Sequence, residues 1–210
     1  LKSLETNINL VSPVEEEYEA DVRELEINLH SNEKDNKKVV LYGSSTFKDW
    51  ANANKDLSIN NLLNLGFGGS TLVSCRTYFN RIVLPYNPDT IVFYAGDNDI
   101  GSGTSADELL NEFLLFSSEV AEKIPHTRCF FISIKPSVFR SEYLDIILDF
   151  NKKVKNSIDH LNQWKYIDLC TPMLETGYEK FYGEDPLHMN ILGYSLLSKL
   201  IRDQLDVFIN

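Results

Sequence analysis

From residue 39 onward the chain alternates between two hydrophobic patterns. Short apolar, β-branched or aromatic runs end at glycine or shortly before proline: Val39 to Tyr42 before Gly43, Asn61 to Leu65 before Gly66, Thr90 to Ala95 before Gly96, Arg128 to Ile134 before Pro136, and Trp164 to Leu169 before Pro172. Runs of this length closed by turn formers predict five strands. Between and after them apolar residues recur at helical spacing: Leu72, Phe79 and Ile82 or Val83; Leu109, Phe113, Phe116, Val120 and Ile124; Tyr143, Ile146 or Ile147, Phe150, Val154, Ile158 and Leu161; Leu192, Leu196, Leu200 and Phe208. Each set predicts a helix with one buried stripe. Apolar strands alternating with such helices predict a three-layer α/β/α domain, its five-stranded parallel sheet covered on both faces through right-handed crossovers.

The first 37 residues have another character. Ser12, Pro13 and Glu15 have the order of a helix N-cap, a proline at the first helical position and a capping-box partner. Tyr18, Val22, Leu25 and Leu29 then form one apolar stripe on an acidic helix, and Ser31 to Lys38 is a polar linker. Residues 1–37 are therefore expected to be an N-terminal acidic helix and linker packed on a main domain of residues 38–210. No internal repeat or low-complexity tract interrupts the chain.

Composition narrows the function classes. Hydrophobic residues make up 43% and charged residues 24% of the 210, close to the globular average of ~45–50% and ~25%. Twenty Lys and Arg face 31 Asp and Glu, a formal net charge of −11. Such a surface repels nucleic-acid phosphate and anionic lipid, so neither nucleic acid nor membrane is expected as a partner. No apolar run approaches the ~20 residues of a membrane span, and Leu1 to Leu10 lacks the basic and then apolar order of a secretory signal. A soluble chain is expected, with its compartment and oligomeric state open. Cys75, Cys129 and Cys170 are widely spaced with no C-x-x-C pair, which reads as free buried thiols.

In open parallel sheets the ligand crevice lies outside the carboxyl ends of the strands. The residues there are Gly43-Ser44-Ser45-Thr46, Gly66-Phe67-Gly68-Gly69-Ser70, Gly96-Asp97-Asn98-Asp99 and, after an aromatic loop beyond the last strand, Asp185-Pro186-Leu187-His188. Acyl transfer by serine requires a hydroxyl beside a base, a carboxylate that orients the base, and donors aimed at the developing oxyanion. Of the four histidines, His30 ends the acidic helix, His126 sits at a helix-to-strand turn on the opposite edge, and His160 lies off its helix's apolar stripe. Only His188 follows the final strand with a carboxylate, Asp185, three residues before it, close enough to fix the tautomer.

Taken one at a time, these segments have plainer readings. Gly43-Ser44-Ser45 is compatible with a capped strand-to-helix turn, Asp185-Pro186 with a helix start, Gly68-Gly69 with a tight turn, and Asp97 with Asp99 with a divalent cation site. In order and spacing, however, the four clusters resemble the blocks of the SGNH, or GDSL-like, hydrolase superfamily over roughly residues 38–208. The resemblance implies flavodoxin-like layering with strand order 2-1-3-4-5. It implies Ser45 as nucleophile, Asp185 and His188 as the rest of a triad, and an oxyanion hole of Asn98 and the backbone N–H groups of Gly69 and Ser45. Ser44 stands where the GDSL signature has aspartate. Trp50 and the Lys135-Pro136-Ser137 turn resemble a bacterial esterase-like branch.

The activity implied is cleavage of a small-molecule carboxylic ester through an acyl-enzyme, with no cofactor and no metal. Short-acyl or acylated-carbohydrate substrates are expected, with a lysophospholipid as an alternative. Phe47, Trp50, Phe67 and Tyr182 are candidates for lining the substrate pocket. The rival readings are a catalytically idle carbohydrate-binding member and a phosphoesterase using the aspartates with a metal.

Overall fold

The computed structural model describes residues 13–31 and 39–206. Five strands form one parallel sheet: β1 (Val39–Gly43), β2 (Leu62–Gly66), β3 (Thr90–Tyr94), β4 (Arg128–Ile132) and β5 (Trp164–Ile167), in the order β2-β1-β3-β4-β5. Side chains alternate across a strand, so each apolar run feeds two cores. Val40, Tyr42, Ile91, Phe93, Cys129 and Phe131 face one layer; Leu41, Val92, Tyr94, Phe130 and Ile132 face the other.

The first layer holds α1 (Pro13–Ser31), α4 (Leu72–Ile82), α6 (Ala106–Lys123) and α7 (Leu144–Ile158). The second holds the short α2 (Ser45–Lys48) and α3 (Ala53–Leu57), with α8 (Cys170–Glu175) and α9 (Ile191–Asp206). One further helical turn, α5 (Asp97–Gly101), leaves the end of β3. The first core is largely aromatic, with Phe93 and Phe116 centroids 4.7 Å apart and Trp164 edge-on to Phe113 at 5.1 Å.

Local chemistry explains where the longer helices start. Thr71 and Ser74 close a reciprocal capping box on α4, and Ser105 and Glu108 do the same on α6, satisfying amide groups that have no partner within the helix. On α9 the buried stripe is Leu197, Ile201 and Leu205, whereas Leu192 is exposed and Leu196 and Leu200 are half-buried. Two leucine-rich rows run side by side at i, i+4 along this helix, and packing selects the row one residue beyond the expected one. The expected cap at Ser12, the linker segment 32–38, and the side chains of Leu29, His30 and Phe208 lie outside the described residues.

All three cysteines are buried and unbridged. Burial pushes their thiols up, Cys170 to about 11 and Cys75 and Cys129 further. Among the described residues no helix is long and apolar enough to cross a membrane.

The register levels the strand ends. Gly43 pairs with Gly66 on one side and Tyr94 on the other, so three of the four chemistry-bearing segments leave the sheet at the same height.

Candidate active site

At Gly43 the chain must turn sharply while β1 and β3 are still in contact. Gly43 has φ +138°, and a Cβ there would sit 1.9 Å from the Tyr94 carbonyl oxygen, so no other residue fits. That approach lets the Ser44 N–H donate to Tyr94 O at 3.0 Å. Ser44 is the N-cap of α2 but makes no side-chain cap; its hydroxyl is fully buried without a partner among the described residues. Ser45, the first residue of α2, is half-buried and turned outward. Its own N–H precedes the helical hydrogen bonds and has no backbone partner among the described residues.

The segment after β5 comes back to meet it. Asp185 Oδ1 accepts from the N–H groups of Leu187 (2.8 Å) and His188 (3.1 Å), which folds residues 185–188 into a tight bend rather than a helix start. The bend brings His188 Nδ1 to 2.6 Å from Asp185 Oδ2. The other ring nitrogen, Nε2, lies 3.0 Å from Ser45 Oγ. Bonding to His188 and to these two backbone amides holds the Asp185 carboxyl at about 2, so it is an anion at any physiological pH. Asp49, at the end of α2, places a second carboxylate oxygen 3.8 Å from Nε2. The bend is also held from outside: Lys135 Nζ donates to Leu187 O at 3.0 Å, and Phe139 N donates to Pro186 O at 3.1 Å.

Asn98 lies in the first turn after β3. Its Nδ2 donates one hydrogen to Ser70 O at 3.0 Å, and its Oδ1 accepts from Arg140 Nη2 at 2.8 Å. The amide is thereby locked in one orientation, with no partner for its second N–H among the described residues. Gly69 has φ +72°, a left-handed conformation that suits glycine, and its N–H has no partner among the described residues. Ser45 N–H, Gly69 N–H and one Asn98 N–H are thus three donors without a partner among the described residues, on the segments that follow β1, β2 and β3.

The two aspartates beside Asn98 are committed elsewhere. Asp97 is buried, with Arg140 Nη1 at 3.4 Å and Lys135 Nζ at 3.7 Å from its Oδ2. Burial pushes the Lys135 ammonium below its ordinary range, against the pull of Asp97. Arg140 thus faces both the Asp97 carboxylate and the Asn98 amide oxygen. Asp99 accepts from Leu72 N at the start of α4, and burial raises its carboxyl to about 7. Among the described residues no group of three His, Cys, Asp or Glu side chains is arranged to hold a metal ion.

Ser45, Asp185 and His188 are brought together, and Asn98 reaches the Gly69-Ser70 loop. His126 and His160 precede β4 and β5 and so lie at the amino-terminal edge of the sheet. The expected aromatic pocket is not built as anticipated. Phe47 and Phe67 are wholly buried in opposite cores, and Tyr182 is buried with its hydroxyl on Pro136 O. Trp50 stacks on Tyr194 at 5.4 Å with its indole N–H on Asp56, and only its rim reaches a wall of the neighbouring groove. Aromatic residues near a strand end satisfy the layer beneath as readily as a ligand above it. The groove, about 820 Å³, is bordered by Asp49, Asn52, Asp56, Asn190, Ser195 and Arg202. Arg140 and the buried Lys135 ammonium were missed as parts of the site; a lone arginine in an irregular loop has no periodicity to mark it.

The model of the GDSL-like lipase/acylhydrolase family matches residues 40–196. No curated protein matches the chain. Among solved structures, the chain is similar to a GDSL-like lipase from Bacteroides thetaiotaomicron (18% identity, TM-score 0.76, covering 90% of this chain and 98% of that one). It is also similar to a lipase/acylhydrolase from Enterococcus faecalis (21%, 0.69, 81% and 96%). A third is an acetyl-xylooligosaccharide esterase from a Geobacillus (15%, 0.68, 81% and 94%). At these identities the likeness is one of fold.

Proposed function

The chain belongs to the GDSL-like lipase/acylhydrolase family, and from that premise we propose that it is a serine esterase acting on short-acyl esters of polyhydroxylated alcohols. The observation that carries the reading is the unbroken chain of contacts from Ser45 Oγ through the two ring nitrogens of His188 to Asp185, at 3.0 and 2.6 Å.

In this mechanism Ser45 Oγ attacks the ester carbonyl while His188 Nε2 takes its proton. Asp185 accepts from Nδ1–H, holds the tautomer and stabilises the imidazolium. The oxyanion of the tetrahedral intermediate is met by the N–H groups of Ser45 and Gly69 and by Asn98 Nδ2. His188 then protonates the leaving alcohol; water attacks the acyl carbonyl as Nε2 takes its proton, and collapse of the second tetrahedral intermediate returns that proton to Ser45 Oγ and releases the carboxylic acid. Ser44 takes no part, because its hydroxyl is enclosed.

Two observations favour a small acyl group on a polar alcohol. The candidate residues lie at the open carboxyl edge of the sheet, which forgoes the ~0.8 kcal/mol per methylene of a closed apolar tunnel. The groove reached through Asp49 offers carboxylates, amides and a guanidinium suited to hydroxyl groups. The Geobacillus neighbour is an acetyl-xylooligosaccharide esterase, and an acetylated sugar is an ester of this type.

The test is fluorophosphonate labelling combined with p-nitrophenyl esters from acetate to palmitate. Label recovered on Ser45, loss of both labelling and hydrolysis in Ser45→Ala, activity retained in Ser44→Ala, and kcat/KM falling with acyl length are the expected results. Label on Ser44 overturns the nucleophile, and a maximum at eight carbons or beyond overturns the short-acyl preference.

A further inference from the structure

The loop that carries Gly69 is held from an unexpected direction. Tyr18, on α1, donates its hydroxyl to Gly69 O at 3.0 Å. One turn along the same helix, Asp21 Oδ2 accepts from Gly68 N at 3.3 Å and pairs with Lys48 Nζ on α2 at 2.7 Å. These bonds seize the peptide groups on either side of the Gly68–Gly69 peptide, whose N–H is the uncommitted donor. Two more complete the frame: Phe67 N donates to Gly43 O at 2.9 Å, and Ser70 O accepts from Asn98. Only the α1 bonds come from outside residues 40–196, the stretch the family model covers.

The helix is itself anchored for this task. Val22 is fully buried, and the Tyr18 ring meets Phe67 edge-on at 5.5 Å. Arg81 on α4 binds both Glu19 (2.8 Å) and Glu26 (2.9 Å), and with Arg23 it draws the Glu19 carboxyl down to about 2. A backbone donor in a left-handed glycine loop has soft torsions on both sides, so its direction depends on what ties the neighbouring peptides.

We propose that α1 is a working part of the oxyanion hole: Tyr18 and Asp21 are positioning residues that clamp the peptides flanking the Gly69 N–H and keep it aimed at the developing oxyanion. The inference rests on the oxyanion role proposed for Gly69. It makes the N-terminal helix a determinant of turnover rather than a packed appendage.

Tyr18→Phe removes the hydroxyl and keeps the ring, so the fold survives. Hydrolysis of p-nitrophenyl acetate and inhibition by phenylboronic acid, whose serine adduct mimics the tetrahedral intermediate, are measured on protein standardised by fluorophosphonate titration. Deleting an oxyanion donor outright costs ~10²–10³ in kcat; loosening one is expected to cost ~10-fold, with KM within about twofold and boronate affinity weakened by about the same ~10-fold. Asp21→Leu is expected to lose in the same way, while Asp21→Asn, which keeps an acceptor for Gly68 N–H, stays close to the parent. A purely structural role for the helix lowers the melting temperature but leaves kcat per titrated site and boronate affinity unchanged. Unchanged kcat and boronate affinity in both Tyr18→Phe and Asp21→Leu, or a loss confined to KM, overturns the clamp. Ser45→Ala and Asn98→Ala, run in parallel, separate the two levels. If both retain activity the site reading itself fails; if they lose it while Tyr18→Phe does not, only the clamp does.

Discussion

Asn98 shows how much of a candidate site is decided by atoms that never touch substrate. Its amide can donate only one hydrogen to a ligand, because Ser70 O takes the other and Arg140 holds the oxygen. Asn98→Ala is expected to lower kcat by ~10²–10³ with little change in KM, since the donor serves the transition state more than the ground state. Arg140→Lys keeps the charge beside Asp97 but loses the planar fork that reaches both partners. A kcat reduced in the parent background, with no further reduction in the Asn98→Ala background, is the signature of action through the amide. Additive losses in the double variant would separate the two residues. His188 and Asp185 could be singled out from their three-residue spacing after the last strand, whereas Ser45 over Ser44, and Asn98, were marked only by what the family resemblance implies for the segments that follow β1 and β3. Arg140, Tyr18 and Asp21 had neither mark, since their partners are 42, 51 and 47 residues away and no local pattern marks a long-range hydrogen bond.

At the level of the element, α4 begins against a charge that titrates. Asp99 accepts from Leu72 N while nearly enclosed, and burial holds its carboxyl at about 7 instead of the ordinary 3.8. The folded chain therefore keeps a proton that the unfolded chain releases between about pH 4 and 7. The stability associated with that proton is complete below the unfolded value and is lost as pH rises through 7, at up to ~1.4 kcal/mol per pH unit in between. Asp99→Asn keeps an acceptor for Leu72 N and carries no charge. The variant's stability relative to the parent is expected to grow from pH 5 to pH 8, read by urea unfolding at each pH. A difference independent of pH would mean that Asp99 is ionised throughout. The strands were readable from their apolar runs and the glycines or prolines that close them, and the buried faces of α6 and α7 from their spacing. On α9 two adjacent leucine rows satisfied the same period, and only the shape of the sheet's second face chose between them.

For the molecule as a whole, the layers are fastened unequally. The first is a broad aromatic core joined to three long helices and pinned to α1 by Arg81. The second has one long helix, α9, and otherwise the short α2, α3 and α8, the last only six residues long. The aromatic candidates for a pocket fell into these cores because hydrophobicity records burial without recording what is buried against what. The three thiols are distributed across this inequality: Cys75 on α4 and Cys129 on β4 lie in the first core, and Cys170 opens α8. Each is sealed in the native state, so a reagent can reach it only when the surrounding structure parts, and the rate of reaction becomes a clock for that local opening. Under native conditions 5,5′-dithiobis(2-nitrobenzoic acid) should modify Cys170 first. Cys75 and Cys129 should follow together, at a rate that converges on global unfolding as urea is added. If Cys75 or Cys129 reacted ahead of Cys170, the aromatic layer would be the one that breathes, and the ranking of the two halves would have to be reversed.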